Sequence, residues 1–151
     1  MKKINMRILG LDYGDARCGV AITDSLNITV QGLETIHCNN SDKIILKRID
    51  EILSEYEVDT IVVGMPFNMN GTKTERAEKT EKFIHKLKCK YNSMKIETID
   101  ERLTTVAAHK TMNFLDVNKN KKRDIVDTIS AVYILETYLS KFKNSLQNEK
   151  K

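Results

Sequence analysis

The sequence predicts an α/β domain built on a five-stranded mixed sheet, three antiparallel strands followed by two parallel ones, flanked by helices. Three observations predict it. Short apolar runs separated by turn residues fill the chain up to Ile36. From Ser41 onward, stretches with helical spacing alternate with strand-like ones. The run Ile61-Val62-Val63-Gly64 is β-branched and uncharged, as a strand covered on both faces should be.

Residues 7–12 and 18–24 are the first two apolar runs, joined hairpin-fashion by Tyr13-Gly14-Asp15-Ala16-Arg17. Ile28-Thr29-Val30 continues past Gly32 through Leu33 and Ile36 as a third strand. Ser41 or Asp42 then caps a helix whose apolar positions are Ile45, Ile49, Ile52 and Tyr56. After the strand at residues 61–64 comes a long loop, Met65-Pro66-Phe67-Asn68-Met69-Asn70-Gly71. A second helix follows, with Ala77, Thr80, Ile84, Leu87 and Tyr91 on its inner face. Residues 95–99 read as the fifth strand. Thr104 or Thr105 caps a helix carrying Ala108, Met112 and Leu115, and Asn118 to Lys122 reads as a polar loop. The last helix is expected from about Asp124, its N-cap, to Phe142, with a polar, disordered tail beyond. Helical crossovers make the fourth and fifth strands parallel to the first. In such sheets ligands bind beyond the carboxyl ends of the parallel strands, where Asp12, Gly64 and Asp100-Glu101 all fall.

The 151 residues suit one domain, 1–151, with an ordered core over about 6–142. Hydrophobic content of 40% and charged content of 30% are ordinary for a globular protein. No apolar stretch is long enough to span a bilayer, so no membrane partner is expected. The opening Met1-Lys2-Lys3-Ile4-Asn5 lacks the apolar core of a signal peptide, and a cytoplasmic protein is expected. Cys18, Cys38 and Cys89 are widely spaced and odd in number, which argues against a disulfide frame or a zinc site. His37, His85 and His109 are scattered and form no ligand pair. The net charge is only +4, but Lys119, Lys121, Lys122 and Arg123 stand close together. Two readings are open for them: solvated lysines, or contact with a polyanion.

Acidic residues carry the chemistry. Asp12 closes a buried strand, as a turn former or as a ligand. Gly14 would leave space near it for a phosphate or metal. Asp127 shares a helix face with Ala131, Ile134 and Tyr138, the face that must lie on the sheet. Of the neighbours Asp100 and Glu101, only one can aim at the same centre. Converging carboxylates repel and resist ionising together unless a cation joins them. An all-oxygen set favours Mg²⁺ or Mn²⁺, which points to metal-assisted chemistry on a phosphate ester. Arg17 and Arg102 either clamp a phosphate or neutralise a neighbouring acid. The loop at residues 64–71 lacks the Gly-Lys-Ser/Thr of a Walker phosphate loop.

Taken in order, these residues resemble the YqgF/RuvX family. The motifs are Leu11-Asp12-Tyr13-Gly14 with Arg17, Gly19-Val20-Ala21 and Asp24; Val63-Gly64-Met65-Pro66 with Asn68 and Gly71; Asp100-Glu101-Arg102-Leu103-Thr104-Thr105; and Val126-Asp127 with Ser130-Ala131 and Ile134-Leu135. They extend over about residues 6–142. Cys18 stands where the family usually has an aliphatic residue, and Ser130 where it often has alanine. The resemblance implies an RNase H-like fold related to Holliday junction resolvases. It also implies a nuclease that matures the 5′ end of pre-16S rRNA, with Asp12, Glu101 and Asp127 as catalytic and metal-binding acids and Asp100 as the alternative to Glu101. Arg17, Arg102, Lys119, Lys121, Lys122 and Arg123 are the expected substrate-binding residues, on structured pre-rRNA or branched DNA. Ribosomal subunit precursors are candidate partners, for a monomer or a homodimer. Three further readings stay in view: a junction resolvase, a non-catalytic rRNA-binding assembly factor, and an actin-like nucleotide-binding module.

Overall fold

Side chains in a strand point alternately to its two faces, and this period of two sorts the residues of the first strand into two cores. The structure, a computed structural model, describes residues 6–104 and 119–149, except the side chains of 119–123 and 143–149. Strands β1 (Arg7–Asp12), β2 (Arg17–Thr23) and β3 (Val30–His37) form an antiparallel meander. Helix α1 (Asp42–Glu55) leads to β4 (Val58–Met65), and α2 (Glu75–Lys90) leads to β5 (Lys95–Asp100). A single 3-10 turn, Glu101–Leu103, follows β5, and α3 (Lys119–Glu149) closes the described chain. The strand order is β3-β2-β1-β4-β5, with β4 parallel to β1 and β5 parallel to β4. This is the expected mixed sheet.

Leu9 and Leu11 of β1 point to the face covered by α1 and α2, where Ile45, Ile49, Ile52, Phe83 and Leu87 join them in the larger core. Ile8 faces the opposite way, into a smaller core with Ala21, Val62, Ile99, Ala131, Ile134 and Leu135. By the same alternation Gly10 and Asp12 belong to the α3 face. Burying an Ile or Leu completely contributes about 2 kcal/mol, so Ile134 and Leu135 anchor α3 firmly over β1 and β4.

The sheet admits α3 at short range because glycines line its path. A β-carbon on Gly10 would run into Leu135, one on Gly32 into Thr128, and one on Gly19 into the backbone carbonyl of Asp127. The first two obstacles are side chains that can move. The third is helix backbone, which cannot give without shifting α3.

Three local expectations are corrected. Helix α3 begins at Lys119 and reaches Glu149, so the stretch read as a polar loop is its first turn and the tail after Phe142 continues it. Nothing between Lys119 and Glu149 is Pro or Gly, and Lys, Arg, Gln and Glu are good helix formers. Asp124 is therefore not an N-cap; it lies inside the helix, with its Oδ2 2.9 Å from His37 Nε2. At α1, Ser41 occupies the N-cap position without a side-chain hydrogen bond, whereas Thr74 caps α2 by accepting from the Ala77 amide at 2.9 Å. The expected helix after Thr105, with Ala108, Met112 and Leu115, lies outside the described residues, as does His109.

Replacing Gly19 with Ala should lower stability by about 1–3 kcal/mol, because overpacking against backbone leaves no rotamer by which to escape. A shift of the urea midpoint to lower concentration checks this, and an unchanged midpoint would show that α3 is not seated on Gly19.

Candidate active site

Strand register sets the site. Asp12 pairs with Gly19 across the antiparallel β1–β2 ladder. On the other side Leu11 pairs with Val63, so Gly64 is next to Asp12 one residue further along the parallel ladder. Gly64 in turn pairs with Ile99. Asp12 thus stands in a row between two glycines, on the face that α3 covers, where the parallel strands end.

The two glycines make the gaps that the other acids approach. A β-carbon on Gly64 would lie 2.8 Å from Glu101 Oε1 and 2.6 Å from Ile134 Cδ1. The Glu101 carboxylate therefore reaches back over the sheet from the 3-10 turn. On the other side, the Asp127 backbone rests on Gly19. Asp12 and Glu101 are both buried, at 2% and 7% exposure. The structure thus brings Asp12, Glu101 and the Asp127 backbone to one row.

The Asp127 side chain is engaged by Arg17, whose Nε donates to its Oδ2 at 2.7 Å. Both groups are mostly buried, at 25% and 14% side-chain exposure, so solvent screens the pair little. Among the described residues, no three His, Cys, Asp or Glu side chains are gathered closely enough to hold a metal ion. The donor chemistry nevertheless fits a hard divalent cation. Two buried carboxylates and a third on the adjoining helix offer oxygen alone, and two glycines keep side-chain bulk out of the row.

Asp100 and Glu101 take opposite parts. Asp100 accepts from the Arg102 backbone amide at 2.9 Å and from its guanidinium at 2.6–3.1 Å. Those bonds to Arg102 hold its carboxyl below the usual aspartate range. Arg102 also donates to the Met69 carbonyl at 3.4 Å and lies 5.5 Å from the Phe67 ring centre. Of the two readings open for Arg102, the contacts match neutralisation of the adjacent acid, with the loop at 66–71 fastened in addition. Gly71, at φ +88°, turns that loop and gives Arg102 room to reach it.

Gly14 has a different role from the one expected. A β-carbon there would lie 2.7 Å from the Arg17 carbonyl, so its space is filled by the hairpin itself rather than left for a ligand. The backbone of Lys119, Lys121, Lys122 and Arg123 forms the start of α3, upstream of Asp127; their side chains lie outside the described residues. Sequence reasoning placed Gly64 at the same sheet edge as Asp12 but did not single out Gly19 as its neighbour. Counting residues along the first two runs from the hairpin could have paired Gly19 with Asp12.

The fold is that of RuvC. Thermus thermophilus RuvC in complex with a Holliday junction substrate matches with a TM-score of 0.54 at 12% identity, covering 88% of this chain and 94% of that one. A second Thermus thermophilus RuvC structure matches with a TM-score of 0.53 at 10% identity, covering 91% and 97%. Fold, acid-bearing edge and sequence relatives together define an RNase H-like nuclease, a hydrolase acting on ester bonds. A protein described as "putative pre-16S rRNA nuclease" from Ruminiclostridium cellulolyticum is 54% identical over 136 residues, covering 90% of this chain and 95% of the relative. One of the same description from Acetivibrio thermocellus is 50% identical, covering 89% and 95%. The chain belongs to the RuvX family: the family model described as "Holliday junction resolvase" matches residues 6–141.

The Arg102 clamp leads to a prediction. Because the Asp100 carboxyl is depressed, its contribution is present above the ordinary aspartate value of about 4 and is lost as pH falls through the lower folded value. Arg102→Ala should speed amide exchange at Asn68, Gly71 and Thr72 at neutral pH, read by hydrogen exchange. Exchange as slow as in the wild type would show that the loop holds without Arg102.

Proposed function

We propose that this protein is a divalent-metal-dependent endonuclease, using Mg²⁺ or Mn²⁺, that processes the 5′ end of pre-16S rRNA during ribosome assembly in the cytoplasm. It does so as a single domain spanning 1–151. The observation that carries this reading is the row in which Asp12 stands between Gly19 and Gly64, with Glu101 and Asp127 approaching those glycines. The relatives' shared description as pre-16S rRNA nucleases supports the choice of RNA.

Asp12, Glu101 and Asp127 would hold the metal, and a divalent cation there supplies Lewis-acid activation of water and of the scissile phosphate. Asp12, central in the row and itself an anion, would act on the phosphate only through the cation it helps to hold. Buried walls on the α3 face limit access of bulk water, which strengthens each charge interaction inside. Water adds to phosphorus, and one ester oxygen departs with a proton. Arg17, joined to Asp127 by its Nε, would present its remaining N–H groups to the phosphate being cleaved. Lys119, Lys121, Lys122 and Arg123 hold the backbone, giving strong salt dependence and little sequence reading. Glu101 rather than Asp100 is the ligand, since its carboxylate reaches over Gly64 beside Asp12 while Asp100 turns to Arg102.

Branched DNA is the second substrate reading, supported by the family's description and by the fold shared with RuvC. Cleavage of a pre-16S 5′-leader fragment and of a four-way DNA junction, assayed side by side with Mn²⁺, distinguishes the two.

Asp12→Asn and Glu101→Gln should each reduce cleavage by at least about 10²-fold. They should also weaken Mn²⁺ binding by calorimetry while leaving circular dichroism intact, and Asp100→Asn should keep most activity. Full activity in a well-folded Asp12→Asn protein would sink the mechanism. An inactive Asp100→Asn beside an active Glu101→Gln would exchange the roles of the two acids.

A further inference from the structure

Most cations held near the acid-bearing edge are committed to a carboxylate. Arg17 pairs with Asp127 at 2.7 Å, Arg102 with Asp100 at 2.6 Å, and Lys79 with Asp15 at 2.9 Å. Lys73, just before α2, is bound to Glu81, and Lys86, further along the helix, to Asp42. Arg76 differs. It lies in the first turn of α2 and is exposed, and among the described residues it has no carboxylate partner. Among the described residues its guanidinium makes one hydrogen bond, from Nη2 to the carbonyl of Tyr13, the residue directly after Asp12, at 3.4 Å.

That contact is long for a guanidinium and takes one of its five N–H groups, so the others face solvent beside the strand end. Tyr13 gives it a steady footing. Its ring stacks on Phe83 with centroids 4.4 Å apart, and its hydroxyl donates to Asp42 Oδ1 at 2.6 Å. A guanidinium tethered one residue from the central acid and left without a counter-ion is matched by a planar, doubly accepting anion. We propose that Arg76 binds a backbone phosphate of the nucleic-acid substrate next to the one being cleaved, and so fixes the strand over Asp12. This rests on the nuclease reading above and adds a positioning residue on the α2 side of the site.

The test uses full-length protein carrying Asp12→Asn, so that binding is measured without cleavage. The probes are a labelled pre-16S 5′-leader fragment and a four-way DNA junction, titrated across a range of KCl. Adding Arg76→Ala should weaken binding to whichever probe is bound by roughly tenfold. It should also reduce the slope of log affinity against log salt by about 1. Arg76→Lys should restore the slope while recovering only part of the affinity, and Lys82→Ala, an exposed change on the same helix, should alter neither. In the cleaving protein, Arg76→Ala should raise KM more than it lowers kcat. An unchanged salt slope in both Arg76 variants would overturn the proposal, as would a fall in kcat alone, which would mean that Arg76 merely steadies Tyr13. If the Asp12→Asn protein binds neither probe and the wild type cleaves neither, the nuclease reading itself fails, and that result is distinct from an Arg76 variant that binds like its parent.

Discussion

The seating of α3 on the glycines of the sheet is the constraint on which the rest depends. Helices normally stand off a sheet by the thickness of two layers of side chains. Here Gly19 removes one layer where the helix backbone at Asp127 passes, and Gly10 and Gly64 do the same beneath Leu135 and Ile134. The short approach has two effects at once. It buries Ile134 and Leu135 completely, which stabilises the smaller core. It also brings the helix backbone at Asp127 onto Gly19, the residue paired with Asp12, which side-chain-thick packing would have kept apart.

Bringing acids together raises an electrostatic cost, and the arginines answer it in two ways. Arg102 is tied to Asp100 by several hydrogen bonds and fastened to the loop before α2, so its charge is used structurally. Arg17 meets Asp127 through one short bond from Nε, which leaves its Nη groups for other partners. One neighbour of each pair of acids is thereby neutralised. Asp100 lies along the outside of the turn while Glu101 folds inward over Gly64, and the 3-10 geometry lets adjacent residues diverge in this way.

Much of this was legible in the chain. The β-branched run at 61–64 identified a strand covered on both faces, and the turn residues from Tyr13 to Arg17 identified the first hairpin. The spacing of Asp127, Ala131 and Ile134 gave the buried face of α3 without reference to any fold. Its start was misplaced because Asp124 has the chemistry of an N-cap, and a run of lysines and asparagines reads equally well as loop or as exposed helix. Nothing local decides between those states, and no helix-breaking residue intervenes. Gly14 was misjudged for a related reason. A glycine near an acid is consistent both with a ligand gap and with a tight turn, and only the position of the Arg17 carbonyl separates them. The pairing of Arg102 with a neighbouring acid was one of two readings the sequence left open, since a side chain that bends back two residues leaves no periodic trace to decide it.

The candidate site lies where the core runs out. Leu11 is completely buried between layers, and the next residue, Asp12, is nearly as buried but polar. One position later Tyr13 already turns its hydroxyl to Asp42. A carboxylate that deep can be kept only if its surroundings compensate for lost hydration, and the backbone around it is too tightly registered to move away. Glycine neighbours on both sides remove the alternative of covering it with apolar side chains. The same glycines that let the helix approach the sheet therefore also leave this buried carboxylate without an apolar cover. Any substitution that filled the row would alter packing and site together.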